Sequence, residues 1–322
     1  MTDLVVKLTA CGGPENLVAS HQEALTPKAG EIVIRHEAIG MNFLDTYHRK
    51  GTYALPAYPA VIGVEAVGRV EAIGDGVEEF AVGDRVAYAA AIGAYASARV
   101  LKAERAIRLP EAISSRTAAS SLLKGMTAYM LLHKTYPVGP GTTILVHAAA
   151  GGLGEIIVRW AKHLGATVIG TVSSPEKAER ARLSGADHLV IGRDADLVTE
   201  VNALTGWRGV DVAYDGIGGD MLARTLQCVR PFGTAASLGQ AAGPIPPVAI
   251  EMLRPGKSLT LPSIMAYSAD LADYRHAAEA AIAAMGHDIV STIAGEFSLD
   301  QAADAHAVLE SGRMAGSLLL IP

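Results

Sequence analysis

The chain of 322 residues has few cysteines, few aromatic residues and no long uninterrupted apolar run. Its two cysteines, Cys11 and Cys228, are far apart in sequence, which argues against a disulfide framework or a cysteine-bound metal and favours the reducing cytoplasm. The sequence has neither the pattern of a signal peptide nor that of a membrane-spanning helix. We therefore expect a cytoplasmic protein with no membrane partner.

Positive charge is also scarce, because 27 Lys and Arg stand against 33 Asp and Glu and give a net charge of −6. The sequence contains no basic run and no basic segment interleaved with aromatic residues, so a nucleic-acid partner is not expected. Aromatic residues make up 5% of the chain, so its cores must be built mainly from Ala, Val, Leu and Ile. The length suggests about two domains.

The segment 142–177 has the pattern of a strand, a glycine turn, a helix and a second strand. The apolar runs 143–149 and 167–172 predict two buried strands. Between them, apolar residues recur at helical spacing and Gly165 is a typical helix stop. The residues of this stripe are Leu153, Ile156, Ile157, Trp160, Ala161 and Leu164. This order of elements is typical of a dinucleotide-binding unit.

The glycine turn reads Ala149-Ala150-Gly151-Gly152-Leu153-Gly154, with Ala149 in place of the usual first glycine. Gly151 would let the backbone approach a pyrophosphate, and Gly154 would let the helix pack closely on the strand. The first amides of the helix would bind the anion. Close packing alone also selects glycine, but the strand before the turn and the helix after it favour nucleotide binding.

The end of the second predicted strand indicates which nucleotide is bound. An NAD site places an acidic residue about 20 residues into the motif, whereas this chain has Ser173, Ser174 and Pro175 there, followed by Lys177. Small hydroxyls and a cation suit a 2′-phosphate, so NADPH is predicted over NADH. Alternatively, Ser174 caps a helix that begins at Pro175 while Lys177 lies in solvent, and both interpretations can hold together.

The rest of the chain predicts a mixed α/β protein. Residues 1 to about 120 read as short strands separated by turns, among them one at 61–73, which is typical of a compact barrel-like domain, and a helix is predicted at 114–133. Further strands at 188–191, 210–214, 234–238 and 258–264 would complete a six-stranded sheet. The glycine-bearing loops 215–219 and 239–243 would line its ligand crevice. A helix at 271–285 and the tail 289–322 are expected to return to the first domain.

Single polar residues on these strands do not by themselves indicate catalysis. His147 precedes the glycine turn, and we expect it to be packed and hydrogen-bonded rather than an acid. Asp211 and Asp215 are expected to cap their strand or meet solvent, and Cys228 to be core.

Several motifs resemble those of the zinc-free quinone oxidoreductases of the medium-chain dehydrogenase/reductase superfamily. The resemblance runs in order from Gly12 to the C-terminus, and it rests on the segments 38–47, 63–68, 83–86, 123–128 and 147–154. It implies a GroES-like β-barrel-type catalytic domain with an inserted Rossmann domain, a doubly wound six-stranded parallel sheet. The implied boundaries are 1–122, 123–264 and 265–322, and a homodimer through the edge strand 258–264 is implied as well.

The zinc-dependent relatives carry a cysteine ligand where this chain has Asn42 and a histidine where it has Val64. Losing a thiolate and an imidazole removes a catalytic zinc site, so no metal is expected. Without zinc, the reaction must generate a product anion that needs little stabilisation. A reduced quinone is phenol-like, with a pKa near 10, so quinones suit this site better than simple ketones. Enones, whose product is an enolate, are the alternative.

The resemblance also assigns site residues. Asn42, Tyr47 and Tyr53 would lie at the substrate pocket, with no residue assigned as a dedicated acid. Turn Asn and Asp residues often bond only their own backbone and a tyrosine can be core, but for Asn42 and Tyr47 we favour function. The implied cofactor-binding residues are Asn42, Phe43, Leu44, Asp45, Thr46, Met130, Gly151, Gly152, Leu153, Gly154, Ser173, Ser174, Lys177, Arg193, Ile217, Leu238, Gly239, Gln240, Ala241, Pro262, Ser263, Ile264 and Arg313.

The chain departs from the family pattern at two positions. Gly192 stands where a relative has a tyrosine beside the 2′-phosphate, and Arg193, next to it, could substitute with its charged fork. A tyrosine is also expected where Met130 lies. We hypothesise that Lys177 and Arg193 jointly hold the 2′-phosphate. A different class of function, an NADPH-binding structural protein or redox sensor without turnover, stays open because fold alone does not determine function.

Overall fold

A computed structural model describes residues 3–322, and within that range the chain contains two mixed or parallel sheets, one small sheet and nine α-helices. The strands are β1 (Asp3–Leu8), β2 (Leu17–Gln22), β3 (Glu31–Gly40), β4 (Ala60–Val61), β5 (Ala66–Ile73), β6 (Arg85–Tyr88), β7 (Ala98–Lys102), β8 (Ile107–Arg108), β9 (Thr143–Val146), β10 (Thr167–Val172), β11 (His188–Ile191), β12 (Val210–Asp215), β13 (Val229–Ser237), β14 (Ser258–Thr260), β15 (Ile293–Ser298) and β16 (Ser317–Ile321). The helices are α1 (Phe43–Lys50), α2 (Ser115–Tyr129), α3 (Gly152–His163), α4 (Pro175–Leu183), α5 (Leu197–Leu204), α6 (Met221–Cys228), α7 (Ile264–Tyr267), α8 (Leu271–Met285) and α9 (Ala302–Glu310).

The chain forms two compact units, residues 3–126 with 268–322 (unit 1) and Thr127–Tyr267 (unit 2). In unit 1 the strands run in the order β15-β16-β3-β5-β6-β8, with β7 also paired to β3, and a second sheet has the order β2-β1-β4. The last strand joins the sheet because Leu320 of β16 pairs with Ile39 of β3. The domain boundaries inferred from the family resemblance stay a prediction.

The sheet of unit 2 has six parallel strands in the order β11-β10-β9-β12-β13-β14. Its central strands are buried on both faces, as the sequence of β9 requires, and Leu145, Ile169, Ala213 and Ala235 lie in its core. This order and the alternating helices confirm the predicted α/β fold class, with loops 147–151, 173–174 and 216–220 following three neighbouring strands.

Four predicted boundaries were wrong. The strand predicted at 143–149 ends at Val146, because Ala148 takes a left-handed conformation (φ 51°) as the chain turns toward α3. The strand predicted at 258–264 stops at Thr260, before Pro262, which cannot donate to a ladder. The strand predicted at 61–73 is broken at Gly63, where φ is 84°. The helix predicted up to residue 133 changes to a π-helix at 130–135.

The other predicted strands of unit 2 overlap the observed ones, although β13 begins at Val229, five residues before its predicted start, and β10 and β11 match the predicted ranges. Helix α3 ends at His163, with Leu164 as its C-cap and Gly165, whose φ is 85°, directly after it. Across residues 3–322, every helix is too short or too polar to cross a bilayer.

Candidate functional site

The glycine turn is tightly packed against its own helix. Gly151 is the N-cap of α3, whose first amides have no acceptor within the helix and can bind an anion. A Cβ at Gly154 would lie 2.2 Å from the Ala148 carbonyl oxygen, and one at Gly151 would lie 3.1 Å from the same atom. Only glycine therefore fits at position 154, which explains the third glycine of the motif.

Two cations follow the ends of two paired strands. Lys177 lies in α4 after β10, and Arg193 follows β11, where the Gly192 amide donates to the Val172 carbonyl at 2.9 Å. Burial lowers the pKa of Lys177, and the positive charge of Arg193 acts in the same direction. Ser174 accepts from the Lys177 amide at 3.4 Å and caps α4, with Pro175 in the first turn. The capping interpretation of Ser174 is thus confirmed, while its contact with a cofactor stays a prediction.

An acidic residue also lies in this segment. The Ser174 hydroxyl hydrogen-bonds the side chain of Glu176 and lowers its pKa, so the exposed Glu176 carboxylate is ionised at neutral pH. It lies one residue from Lys177, in the first turn of α4, where a helix favours negative charge. Any phosphate bound by Lys177 would therefore lie near one carboxylate.

The loops after β12 and β13 contact each other closely. The Ala242 amide donates to the Ile217 carbonyl at 2.8 Å. A Cβ at Gly218, where φ is 68°, would lie 2.6 Å from the Gln240 Cα. The structure thus brings Ile217 together with the predicted segment 238–241. Pro262, Ser263 and Ile264 follow the adjacent strand β14, and the buried Met130 begins the π-helix.

In unit 1 the predicted segment 42–47 forms the start of α1. Asn42 is the N-cap, and a capping box links it to Asp45, whose carboxylate accepts a hydrogen bond from the backbone amide of Asn42 at 2.9 Å. The Thr46 hydroxyl donates to the Phe43 carbonyl at 2.7 Å. Asp45 and Thr46 are buried, whereas Phe43 is exposed. These contacts hold the helix start in place, and the predicted cofactor contacts of this segment stay a prediction.

A buried ion pair, which the sequence reasoning missed, lies behind Asn42. The Asn42 side-chain amide donates to Glu65 Oε1 at 2.8 Å, and Lys124 Nζ lies 3.3 Å from the same oxygen. Lys124 also donates to the Met41 carbonyl at 3.2 Å. Each of these charges interrupts an apolar run, in Gly-Val-Glu-Ala-Val and Leu-Leu-Lys-Gly-Met, and that is the signal that could have identified them.

A second buried cluster joins α1 to α9. Asp45 Oδ2 lies 3.1 Å from the Tyr95 hydroxyl, which lies 2.9 Å from His306 Nε2. Burial raises the pKa of Asp45 to about 7 and lowers that of His306 to about 3. Asp45 Oδ1 and His306 Nδ1 are buried without a partner within residues 3–322. No local pattern indicates this cluster, because Tyr95 and His306 are 211 residues apart in the chain.

The two tyrosines assigned to the substrate pocket contact each other. Their ring centroids are 5.5 Å apart at 83°, an edge-to-face pair, and the Tyr53 amide donates to the Tyr47 carbonyl at 3.2 Å. Tyr47 is half-buried and Tyr53 is 46% exposed. The arrangement offers an aromatic surface and two hydroxyls. Arg313 lies exposed in the loop before β16.

His147 is packed and hydrogen-bonded, as expected, with its ring nitrogens 3.0 Å and 2.9 Å from the hydroxyls of Thr171 and Thr225. Asp215 does not meet solvent, because its carboxylate is fully buried and bonded to loop 217–218 and Thr225. Across residues 3–322, no three His, Cys, Asp or Glu side chains are grouped so that they could hold a metal ion.

Family models and relatives agree with this architecture. Residues 28–138 match the alcohol dehydrogenase GroES-like domain, and residues 152–285 match the zinc-binding dehydrogenase model. The chain is 42% identical over 317 residues to a quinone oxidoreductase of Salmonella typhimurium, covering 97% of each chain. It is 40% identical over 321 residues to a 2-haloacrylate reductase of a Burkholderia species, covering 97% of this chain and 96% of the relative.

A solved structure of Escherichia coli quinone oxidoreductase complexed with NADPH superimposes with a TM-score of 0.95. The two chains share 39% identity, and the match covers 99% of this chain and 100% of the other. The chain therefore belongs to the quinone oxidoreductase family of the medium-chain dehydrogenase/reductase superfamily.

Proposed function

We propose that this protein is an NADPH-dependent reductase that transfers hydride to quinones without zinc. One observation carries the cofactor assignment: Lys177 follows β10 and Arg193 follows the paired strand β11, where the Gly192 amide donates to the Val172 carbonyl at 2.9 Å, so two cations follow the same edge of the sheet. Two cations that repel each other are stabilised by an anion that both can reach, and a 2′-phosphate supplies that charge. The relative solved with NADPH supports the same cofactor.

The residues of unit 2 fit a dinucleotide. The turn 151–154 offers helix amides to a pyrophosphate, and Gly154 allows the close packing that this turn needs. Loops 217–219 and 238–241 follow neighbouring parallel strands, where such folds bind ligands. NADPH, when bound, supplies the hydride, and the protein's part is to bind and orient.

Quinones are the proposed acceptor because their reduction needs little acid or metal assistance. Asn42 and Val64 occupy the positions of two zinc ligands in the zinc-dependent relatives, and neither can replace a thiolate or imidazole. The edge-to-face pair of Tyr47 and Tyr53 offers a ring surface on which a flat acceptor can stack.

The second candidate acceptor is an α,β-unsaturated carbonyl compound. The 40% identical 2-haloacrylate reductase favours it, because a haloacrylate is an α,β-unsaturated carboxylic acid. Reduction of such a substrate also gives a delocalised, enolate-like anion. Both candidates use the same cofactor site and differ only in the acceptor.

We also infer a homodimer in the cytoplasm. Strand β14 ends the sheet order, and the exposed Leu261 follows it, so a second copy could add its own edge strand there. The thiols of Cys11 and Cys228 are free, which is compatible with a reducing compartment. Gel filtration at monomer mass would refute the dimer.

The test of function is NADPH oxidation at neutral pH with 1,4-benzoquinone, a linear enone or a simple ketone, each with and without a chelator. We expect quinone turnover that the chelator does not change, and a much slower ketone reaction. Activity on the enone alone would shift the function to the second candidate. NADPH binding without reduction of any acceptor would favour a redox sensor.

A further inference from the structure

A chain of hydrogen bonds in unit 2 runs from β10 to the loop after β12. The Thr171 hydroxyl lies 3.0 Å from His147 Nδ1, and His147 Nε2 lies 2.9 Å from Thr225 Oγ1. Thr225 Oγ1 in turn lies 2.9 Å from Asp215 Oδ2. Asp215 Oδ1 then accepts from two backbone amides of the next loop, at Ile217 (2.8 Å) and Gly218 (3.1 Å).

The partners fix the direction of each hydrogen bond. Thr225 has one hydroxyl hydrogen, and besides His147 its partners are the Asp215 carboxylate and the Met221 carbonyl, which only accept. Thr225 must therefore accept from His147, so Nε2 carries the ring proton and Nδ1 accepts from Thr171. Burial lowers the pKa of His147, which keeps the ring in this neutral form.

The end of this chain is the loop 217–219, which packs against the loop 239–242. The Ile217 carbonyl accepts from the Ala242 amide at 2.8 Å, and Gly218 has no room for a Cβ beside Gln240. Asp215, Thr225 and His147 are each no more than 4% exposed, so a lost bond cannot be replaced readily by water.

We propose that His147 is a positioning residue of the nucleotide crevice, which through Thr225 and Asp215 fixes the loop 217–219 in the shape that binds NADPH. The proposal rests on the proposed function, because it assumes that unit 2 binds this cofactor. It assigns the histidine before the glycine turn a role in cofactor affinity rather than in proton transfer to substrate.

Two substitutions of His147 by amide residues distinguish the roles of its two ring nitrogens. His147→Gln places an amide N–H near the position of Nε2 and keeps the donor to Thr225, whereas His147→Asn reaches only as far as Nδ1 and loses it. We expect NADPH to bind His147→Gln within about twofold of wild type and His147→Asn about tenfold more weakly, as measured by quenching of protein fluorescence.

Thr225 provides an independent test. Thr225→Val should weaken NADPH binding about tenfold and speed amide exchange at Ile217 and Gly218, whereas Thr225→Ser, which keeps the hydroxyl, should restore both. The matched control is Thr205→Val, which removes a hydroxyl bonded to Val201 and Gly209 before the start of β12. It should lower thermal stability without changing NADPH affinity.

The outcomes separate this inference from the proposed function. If wild type does not bind NADPH, the proposed function fails. If wild type binds NADPH but Thr225→Val and His147→Asn bind it equally well, while melting earlier as the control does, the hydrogen-bond chain is only structural and the inference is overturned. Equally weakened NADPH binding by His147→Gln and His147→Asn would also overturn the inference, because the donor at the Nε2 position would then make no difference.

Discussion

Glu65 Oε1 accepts a hydrogen bond from the side-chain amide of Asn42 at 2.8 Å, and Lys124 Nζ lies 3.3 Å from the same oxygen. The other oxygen of Glu65 accepts from the Leu123 amide at 2.8 Å. Because a carboxylate and the Gly40 carbonyl are the acceptors, the Asn42 amide must direct its NH₂ group toward them. The start of α1 is therefore anchored on a buried ion pair.

Removing one partner of this pair should be costly. Lys124→Met would leave the Glu65 carboxylate buried without its cation and should lower the free energy of unfolding by about 3–5 kcal/mol in urea titrations. The double variant Glu65→Gln, Lys124→Met should recover much of this loss, because no charge is then left buried. Lys162→Met is the control, since Lys162 and Asp187 are about one-third exposed and their pair should contribute under about 1 kcal/mol. A Lys124→Met loss as small as the control would contradict this account.

Asp45 should make stability depend on pH. Burial raises its pKa to about 7, above the value of about 3.9 expected in the unfolded chain. Between pH 4 and pH 7 the folded state binds more protons at Asp45 than the unfolded state does. The contribution of this carboxyl to the free energy of unfolding is therefore greatest below pH 4 and falls by about 4 kcal/mol as pH rises to 7. Asp45→Asn keeps an oxygen for Asn42 and Tyr95 and removes the charge.

The stability of Asp45→Asn relative to wild type should therefore rise by about 4 kcal/mol between pH 4 and pH 8, measured by denaturant unfolding at several pH values. The difference between the two proteins isolates this carboxyl from the other titrating groups. Parallel pH curves would show that Asp45 does not titrate in this range.

Gly154 should tolerate no side chain. In Gly154→Ala the new Cβ would meet the Ala148 carbonyl oxygen at 2.2 Å and the Ala149 Cα at 2.9 Å, and neither backbone atom can move without shifting the turn. We expect a loss of about 2 kcal/mol or more in stability together with weaker NADPH binding. Gly139→Ala is the control, because no atom lies within 4 Å of its added Cβ. Equal melting temperatures for the two variants would contradict the packing argument.

Glu176 should weaken the binding of a 2′-phosphate beside Lys177. Glu176→Gln should tighten NADPH binding about two- to threefold at low salt while leaving NADH unchanged, and the gain should shrink as salt is added. Glu179→Gln, on the same exposed helix, removes an equal charge that pairs with Arg182 and should change neither affinity. The check is a binding titration of both nucleotides, and an equal gain for NADH would contradict a phosphate-specific effect.

The local features of unit 2 could be predicted from the sequence because they arise from neighbouring residues. The glycine turn at 151–154, the cap at Ser174 and the strand 167–172 each depend on contacts within a short segment. The boundary at Val146 was missed because Ala148 takes a left-handed conformation that few alanines adopt.

The buried polar clusters could not be predicted, because their members come from distant segments. Glu65 meets Lys124 across 59 residues, and His147 meets Thr225 across 78. Hydrophobic periodicity identifies which faces are buried, but it does not indicate which polar groups pair inside them. The residues carried over from the family lie in the helix starts and loops described above, and their contacts with ligands stay predictions.

The most direct test of the account is the ratio of kcat/KM for NADPH to that for NADH. It is measured with 1,4-benzoquinone for wild type and for the double variant that carries both Lys177→Ala and Arg193→Ala. We predict a clear preference for NADPH in wild type that falls to about one in the double variant, with the NADH rate little changed, because each cation contributes to holding the 2′-phosphate. An unchanged preference in the double variant, or none in wild type, would contradict the assignment of this site.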